Sequence, residues 1–252
     1  MTYARLMQNG SIFYAAYIDG SYYKIDGDLF AEHKVTDKKI EGEFKILAPV
    51  SPSKIIALGV NYRNHAAEMG EEVKSDPLIF MKPPTAVIAP YENIEIANPE
   101  NRTDYEAELA VIIKSKCSRI SADEAENYIL GYTCANDVTD RVLQKKDGQW
   151  VRAKGFDTYC PLGPHIVTGI SPMGLRVQSI LNGEVRQDST TDKMINNVFD
   201  TVAFISNIMT LLPGDVIMTG TPEGIGPLSA GDEIEIRISG VGSLVNKVVN
   251  RE

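Results

Sequence analysis

Apolar and polar residues alternate along the chain in short runs, a pattern that predicts many strands. Near the N terminus, runs rich in aromatic and branched side chains are separated by glycines, and they cover residues 11–17, 22–25 and 44–47. The segment 48–53 then concentrates proline and serine immediately before another apolar run. Because such turn residues mark boundaries, we expect a small N-terminal β-rich domain over residues 1–50 and a main domain over residues 51–252.

Strand character recurs in the main domain in five runs, over residues 79–81, 86–89, 109–113, 216–218 and 233–238. In the last run, Ile234, Ile236 and Ile238 alternate with charged residues, which predicts a strand with one face in solvent. Strands outnumber helices, and the order does not alternate strand with helix. The pattern therefore predicts an α+β fold that is predominantly β, and it disfavours a doubly wound parallel sheet.

Two helices are indicated. A Ser-x-x-Glu capping box at Ser121 and Glu124, with Gly131 as a stop, predicts a helix over residues 121–130. A second helix over residues 192–212 carries apolar residues at helical spacing, namely Ile195, Val198, Phe199, Val202, Ile205 and Met209. We interpret these apolar residues as core contacts.

Charge and hydropathy narrow the class of protein. The 252 residues contain 25 Lys and Arg against 34 Asp and Glu, a net charge of −9 without a basic patch, which disfavours nucleic acid as a partner. The first twenty residues lack the apolar core of a signal peptide, and the longest apolar stretches fall short of a membrane span. We therefore expect a soluble, cytoplasmic protein.

Cysteine and histidine are too few for a sulfur or imidazole metal site. The three cysteines are widely spaced, and the three histidines include no His-x-x-x-His pair. Any metal in this protein must be held mostly by oxygen.

Two carboxylates, Glu106 and Glu108, lead directly into the apolar run 109–113. On one strand they would share a face, and their mutual repulsion would be relieved either by full solvation or by a divalent cation. Asp137 follows a second strand-like segment and offers a third carboxylate. The alternatives are a solvated strand edge for the pair and a capping turn for Asp137.

His65 and Glu68 lie three residues apart, hence on one face if this segment is helical. The carboxylate would then orient the imidazole as a general base, although a surface pair without function has the same spacing. The polar segment 71–76 that follows, between a glycine and a proline, has the composition of a mobile lid.

Lys154 and Thr221 are candidates for binding an anionic substrate, one by its charge and the other by its hydroxyl and nearby backbone amides. Surface and turn roles are the alternatives. The chain has neither a dinucleotide-binding or Walker glycine motif nor a Gly-x-Ser-x-Gly elbow, which disfavours nucleotide binding and serine hydrolysis.

Five motifs in this order resemble the fumarylacetoacetate hydrolase family over about residues 54–248. They are Ala57-Leu58-Gly59-Val60-Asn61-Tyr62 with His65 and Glu68; Asp104-Tyr105-Glu106-Ala107-Glu108-Leu109; Gly131-Tyr132 with Asn136-Asp137-Val138-Thr139-Asp140-Arg141; Lys154-Gly155-Phe156-Asp157; and Gly220-Thr221-Pro222. The resemblance implies a mixed β-roll catalytic core, usually in a homodimer. It also implies Mg²⁺ or Mn²⁺ at Glu106, Glu108 and Asp137, a catalytic dyad of His65 and Glu68, and substrate contacts at Arg141, Gln144, Lys154 and Thr221.

The activity that the resemblance implies is hydrolysis of a C–C bond in a 3-acylpyruvate-type acid, with His65 as the base and with the metal and Lys154 stabilising the enolate. Decarboxylation of oxaloacetate and isomerisation of 2-hydroxyhepta-2,4-diene-1,7-dioate use the same platform and stay open. The dyad favours hydrolysis or decarboxylation, because a double-bond shift needs no activated water. A catalytically silent 2-oxo-acid-binding protein is the alternative from another class.

Overall fold

A computed structural model of the chain describes residues 1–70, 72–73 and 76–252. Its strands, in chain order, are β1 Thr2–Gln8, β2 Ser11–Ile18, β3 Ser21–Gly27, β4 His33–Lys39, β5 Lys45–Ile46, β6 Ile55–Leu58, β7 Ile79–Lys82, β8 Val87–Ile88, β9 Ile94–Ile96, β10 Thr103–Tyr105, β11 Ala107–Ile113, β12 Ile129–Asn136, β13 Thr139–Asp140, β14 Cys160–Val167, β15 Arg176–Leu181, β16 Glu184–Thr190, β17 Val216–Met218, β18 Gly226–Pro227, β19 Glu233–Ile238 and β20 Gly242–Asn250. The α-helices are α1 Arg63–Met69, α2 Ala122–Ala125, α3 Arg141–Asp147, α4 Val151–Lys154 and α5 Val198–Ile208. The predicted α+β fold, predominantly β, is confirmed.

The described strands form three sheets. The largest has the order β4-β3-β2-β1-β14-β12-β11-β17-β6-β7, with β5 paired to β1 and β8 to β14. A small sheet has the order β13-β10-β18, and a third has the order β16-β15-β19-β20-β9. The N-terminal hairpins extend the large sheet through antiparallel pairing of β1 with β14. The division of the chain at residue 51 stays a prediction.

Strand β11 lies inside the large sheet, between β12 and β17, and every one of its residues is buried. Its side chains alternate between two apolar cores, with Leu109 and Val111 in one and Ala110 and Ile112 in the other. Because successive side chains of a strand point to opposite faces, a continuous apolar run here means burial on both faces. This strand therefore carries Glu108 into the interior of the molecule.

Strand β19 follows the predicted alternation. Ile234, Ile236 and Ile238 are buried, whereas the charged residues between them are exposed or half-buried. The prediction of one solvent-facing side is confirmed.

Both predicted helices are wrong in length. The first covers only Ala122–Ala125, followed by one 3₁₀ turn, because β12 already begins at Ile129; its capping box of Ser121 and Glu124 is present. The second begins at Val198 rather than at residue 192, since the Asn197 side chain accepts hydrogen bonds from the amides of residues 199 and 200 and so caps the helix there.

Within the described part of the chain, no helix is both long enough and apolar enough to cross a membrane.

Candidate active site

Glu106, Glu108 and Asp137 converge in the interior. All three are buried, and one carboxylate oxygen from each lies within 4.8 Å of the others. The solvated strand edge considered for the two glutamates is therefore wrong, and the capping turn considered for Asp137 is wrong because the cap of the next helix, α3, is Asp140. Three buried acids in contact need cations around them, since isolated buried charges are costly.

The chain does not pass through this region as one strand. It leaves the ladder at Glu106, because β10 pairs with β13 and β18 in the small sheet whereas β11 belongs to the large sheet. The Glu106 amide donates to Asn136 Oδ1 at 2.9 Å, and the Asp137 amide donates to the Glu106 carbonyl at 2.9 Å. These two bonds place Asp137, directly after β12, beside Glu106.

Three positive side chains surround the acidic triad. Lys154 Nζ donates to Glu106 Oε2 at 3.0 Å and to Asp137 Oδ2 at 2.5 Å. Lys82 Nζ donates to Asp137 Oδ1 at 2.5 Å, and Arg141 Nη2 to Glu106 Oε1 at 2.5 Å. Glu106 and Asp137 are thus each bonded to two cationic side chains.

Glu108 is not bonded to any of these cations. Its Oε2 accepts from the Gly220 amide at 2.7 Å, and its buried Oε1 has no hydrogen-bond partner among the residues that the structure describes. Burial raises the pKa of Glu108 well above its ordinary value, and the charges of Asp137 and Glu106 raise it further. Burial acts on Glu106 in the same direction, but Lys154 and Arg141 outweigh it and hold the pKa of Glu106 below its ordinary value.

The donor set fits a divalent cation. Three carboxylates supply only oxygen ligands, which Mg²⁺ and Mn²⁺ prefer, and the unpartnered Glu108 Oε1 is an acceptor that a cation would satisfy. Glu106, Glu108 and Asp137 are the residues that would hold it.

His65 and Glu68 form the predicted pair on α1. His65 Nδ1 lies 3.0 Å from Glu68 Oε2, and Glu68 Oε1 accepts from the Gly224 amide at 3.1 Å. His65 is 5 % exposed, so the pair is not a freely solvated surface contact. Of the lid predicted over residues 71–76, Glu71, Lys74 and Ser75 lie outside the described residues.

A small cavity of about 20 Å³ lies between His65 of the dyad and Glu106 of the triad. Its lining includes His65, Glu106, Arg141, Lys154 and Thr221. Gln144, which accepts from Arg141 Nη1 at 2.9 Å, also lines it. A groove of about 720 Å³ shares Met69 and Arg141 with this cavity. Six of the nine candidate residues named from the sequence thus line one cavity, whereas Glu68, Glu108 and Asp137 do not line it.

Three further residues of the site were assigned no role from the sequence. Lys82 is fully buried at the end of β7, where a lysine after an apolar run was the available signal. Asp104 is also fully buried and accepts from Arg141 Nε at 2.9 Å. Trp150 lies over the Lys154 ammonium, with 5.7 Å between Nζ and the ring centroid. Nothing in the sequence pattern indicated Trp150.

Residues 54–249 match the family described as fumarylacetoacetate (FAA) hydrolase C-terminal. The oxaloacetate tautomerase Fahd2a of Rattus norvegicus, a mitochondrial protein, is 39% identical over 215 residues, which are 81% of this chain and 69% of the rat protein.

Two solved structures cover the whole chain and are themselves wholly covered. A 5-carboxymethyl-2-hydroxymuconate delta-isomerase from Mycobacterium smegmatis is 40% identical, with a TM-score of 0.92. The fumarylacetoacetate hydrolase of the psychrophile Exiguobacterium antarcticum is 33% identical, with a TM-score of 0.90. The sequence resemblance to this family is confirmed.

Proposed function

Because the chain belongs to the fumarylacetoacetate hydrolase family, we propose that it is a divalent-metal-dependent enzyme that hydrolyses a C–C bond in a 3-acylpyruvate-type acid. The products are pyruvate and a carboxylic acid. The observation that carries this proposal is that His65 of the dyad and Glu106 of the acidic triad line the same small cavity.

The dyad is suited to activate water. Glu68 engages His65 Nδ1 and leaves Nε2 as the nitrogen that can accept a proton in the cavity. Water that gives its proton to Nε2 would attack the distal carbonyl carbon. The C–C bond then breaks, its electron pair passes to the pyruvate fragment, and a proton completes the methyl group of pyruvate.

The positive groups are suited to hold the 2-oxo acid. Bound Mg²⁺ or Mn²⁺ would supply a Lewis acid that polarises the 2-oxo group. Lys154 would hold a second positive charge next to the oxygen that becomes negative. Arg141 and Gln144, joined to each other at 2.9 Å, would orient the substrate carboxylate. Thr221 lines the same cavity, but its hydroxyl donates to the Ala107 carbonyl, so the binding of an anionic group by this hydroxyl, expected from the sequence, is not supported. Assembly as a homodimer stays a prediction.

The similarity to the rat oxaloacetate tautomerase supports a second candidate, acid–base chemistry on oxaloacetate without cleavage by water. In that reaction, His65 would move a proton to and from the oxaloacetate carbon that lies between the 2-oxo group and the distal carboxylate. The same positive groups would stabilise the enolate. Decarboxylation of oxaloacetate would use the same enolate.

Proton NMR of the purified protein with Mg²⁺ or Mn²⁺ tests these alternatives on acetylpyruvate and on oxaloacetate. Hydrolysis predicts acetate and pyruvate in equal amounts from acetylpyruvate. Faster keto–enol exchange of oxaloacetate without pyruvate would favour the tautomerase, and pyruvate from oxaloacetate alone would favour the decarboxylase. Binding of oxalate with no turnover of either acid would contradict an enzymatic function and indicate a 2-oxo-acid-binding protein.

A further inference from the structure

Gln187 is a fully buried polar residue on a strand whose neighbouring side chains face solvent. Residues 184–186 and residue 188 are exposed, whereas Gln187 is 0 % exposed. The register between β15 and β16 shifts between Ser179 and Ile180, directly where Ser179 pairs with Gln187. Such a bulge redirects a side chain and is common beside active sites. Here it turns Gln187 away from the solvent face of β16.

The Gln187 side chain reaches the residue between the two triad glutamates. The Ala107 amide donates to Gln187 Oε1 at 2.9 Å, and the Ala107 carbonyl accepts from Thr221 Oγ1 at 2.9 Å. Strand β17, the neighbour of β11 on that side, ends at Met218. Two side chains therefore satisfy both backbone groups of Ala107.

These two side chains are bonded to each other, which fixes the direction of every hydrogen bond. Because the Ala107 amide can only donate, the Gln187 atom that it contacts is the carbonyl oxygen. Gln187 Nε2 then donates to Thr221 Oγ1 at 2.8 Å and to the Pro222 carbonyl at 2.7 Å. The Thr221 hydroxyl therefore donates its proton to the Ala107 carbonyl. Toward a ligand, this hydroxyl can only accept a hydrogen bond.

The loop that carries Thr221 also contacts the bulge directly. Gly224 has φ +93°, and a Cβ there would lie 2.4 Å from the Arg186 carbonyl oxygen. A larger residue at position 224 would push the loop off β16.

From this network we propose that Gln187 is a positioning residue of the active site. It holds the Glu106-Ala107-Glu108 backbone in the shape that brings the two carboxylates together, and it sets the Thr221 hydroxyl as an acceptor. The inference rests on the proposed function, because it assigns Gln187 a role in supporting that metal site.

The test uses Gln187→Met, which keeps the length of the side chain and removes its donor and acceptor. Gln178→Met is the matched control, since Gln178 is a buried glutamine on the neighbouring strand β15. Mn²⁺ titration, followed by calorimetry and by the Mn²⁺ electron paramagnetic resonance spectrum, is expected to show an affinity about 10- to 100-fold weaker for Gln187→Met. The control is expected to bind Mn²⁺ as the wild type does, and kcat of Gln187→Met should fall more than KM rises.

Thr221→Val and Thr221→Ser provide a second route if Gln187→Met fails to fold. Valine removes the hydroxyl that bonds the Ala107 carbonyl, whereas serine retains it. Only the valine variant should lose Mn²⁺ affinity, and adding Thr221→Val to Gln187→Met should cost less than the sum of the two single changes.

A folded Gln187→Met protein with wild-type Mn²⁺ affinity, wild-type electron paramagnetic resonance spectrum and wild-type kcat would overturn this inference but not the proposed function. If Gln187→Met cannot be folded, wild-type Mn²⁺ affinity in Thr221→Val would overturn it. A wild-type protein that neither binds Mn²⁺ nor turns over any dicarbonyl acid would instead overturn the proposed function.

Discussion

Glu106 and Glu108 are separated by a single residue, yet their surroundings shift their pKa values in opposite directions. Both are buried. Lys154 and Arg141 contact Glu106 and keep it ionised, whereas Glu108 faces the other two acids without a cation in contact and favours its protonated form. In the absence of metal, the two glutamates therefore make different contributions to stability.

Replacing each glutamate by glutamine should expose this difference. Glu106→Gln removes the negative charge that Lys154 and Arg141 both contact. This change is expected to lower the free energy of unfolding of the metal-free protein by about 3 kcal/mol. Glu108→Gln mimics the protonated acid and should leave that free energy unchanged or slightly higher. Urea unfolding of both variants at pH 7 without metal checks this. Equal destabilisation by the two changes would contradict it.

Metal binding should release a proton from Glu108. Because the pKa of Glu108 is raised, the acid carries a proton in the metal-free protein below that pKa, and a cation must displace it. Affinity for Mn²⁺ should therefore fall as pH decreases. Calorimetric titration in buffers of different ionisation enthalpy measures the released proton, and Glu108→Gln should release none from this position.

His65→Ala is expected to lower the rate of hydrolysis by about 100- to 10,000-fold, because the cavity loses its base. Affinity for Mn²⁺ should be unchanged, since the triad oxygens stay in place. Asn64→Ala, an exposed neighbour on α1 that bonds only Glu223 among the described side chains, is the control and should keep full activity. Retained hydrolysis in a folded His65→Ala protein would rule out His65 as the base.

His165 should make the fold sensitive to acid. Its ring stacks on Tyr17 at 4.8 Å between centroids, and Nε2 lies 2.9 Å from the Tyr22 hydroxyl. Burial lowers the pKa of His165 from 6.5 to about 4. Between these values the unfolded chain binds a proton and the folded chain does not, so stability is lost as pH falls through this window, by up to about 3 kcal/mol.

Urea unfolding of the wild type and of His165→Gln at pH 7.5 and pH 4.5 measures that loss. Glutamine does not titrate, so the variant should lose less stability between the two pH values. An identical loss in both proteins would show that His165 makes no contribution.

The sequence was sufficient for the parts of the site that lie close together along the chain. Glu106 and Glu108 flank one residue, and His65 and Glu68 are one helical turn apart, so the spacing already placed the members of each pair close together. The single strand assumed for the two glutamates is wrong, because Glu106 lies between β10 and β11. The motif order then added Asp137, Lys154 and Thr221 through resemblance to the family.

The rest depends on pairings between distant segments. Lys82 contacts Asp137 from 55 residues away, and Gln187 contacts Ala107 from 80 residues away. Periodicity predicts which face of a strand is buried, but it does not state which strands become neighbours or where a bulge redirects a side chain. For the same reason, the helix predicted from residue 192 was too long, since the cap formed by Asn197 sets its start.

Metal-dependent cleavage of acetylpyruvate is the decisive test of the acidic triad as a catalytic metal site. Pyruvate release by metal-stripped wild type and by Glu108→Gln would be followed while Mn²⁺ is added stepwise. We predict no release without metal, saturable release in the wild type, and little or none in Glu108→Gln at the same Mn²⁺ concentrations. Equal pyruvate release with and without metal, or a fully active Glu108→Gln protein, would contradict the assignment of this site.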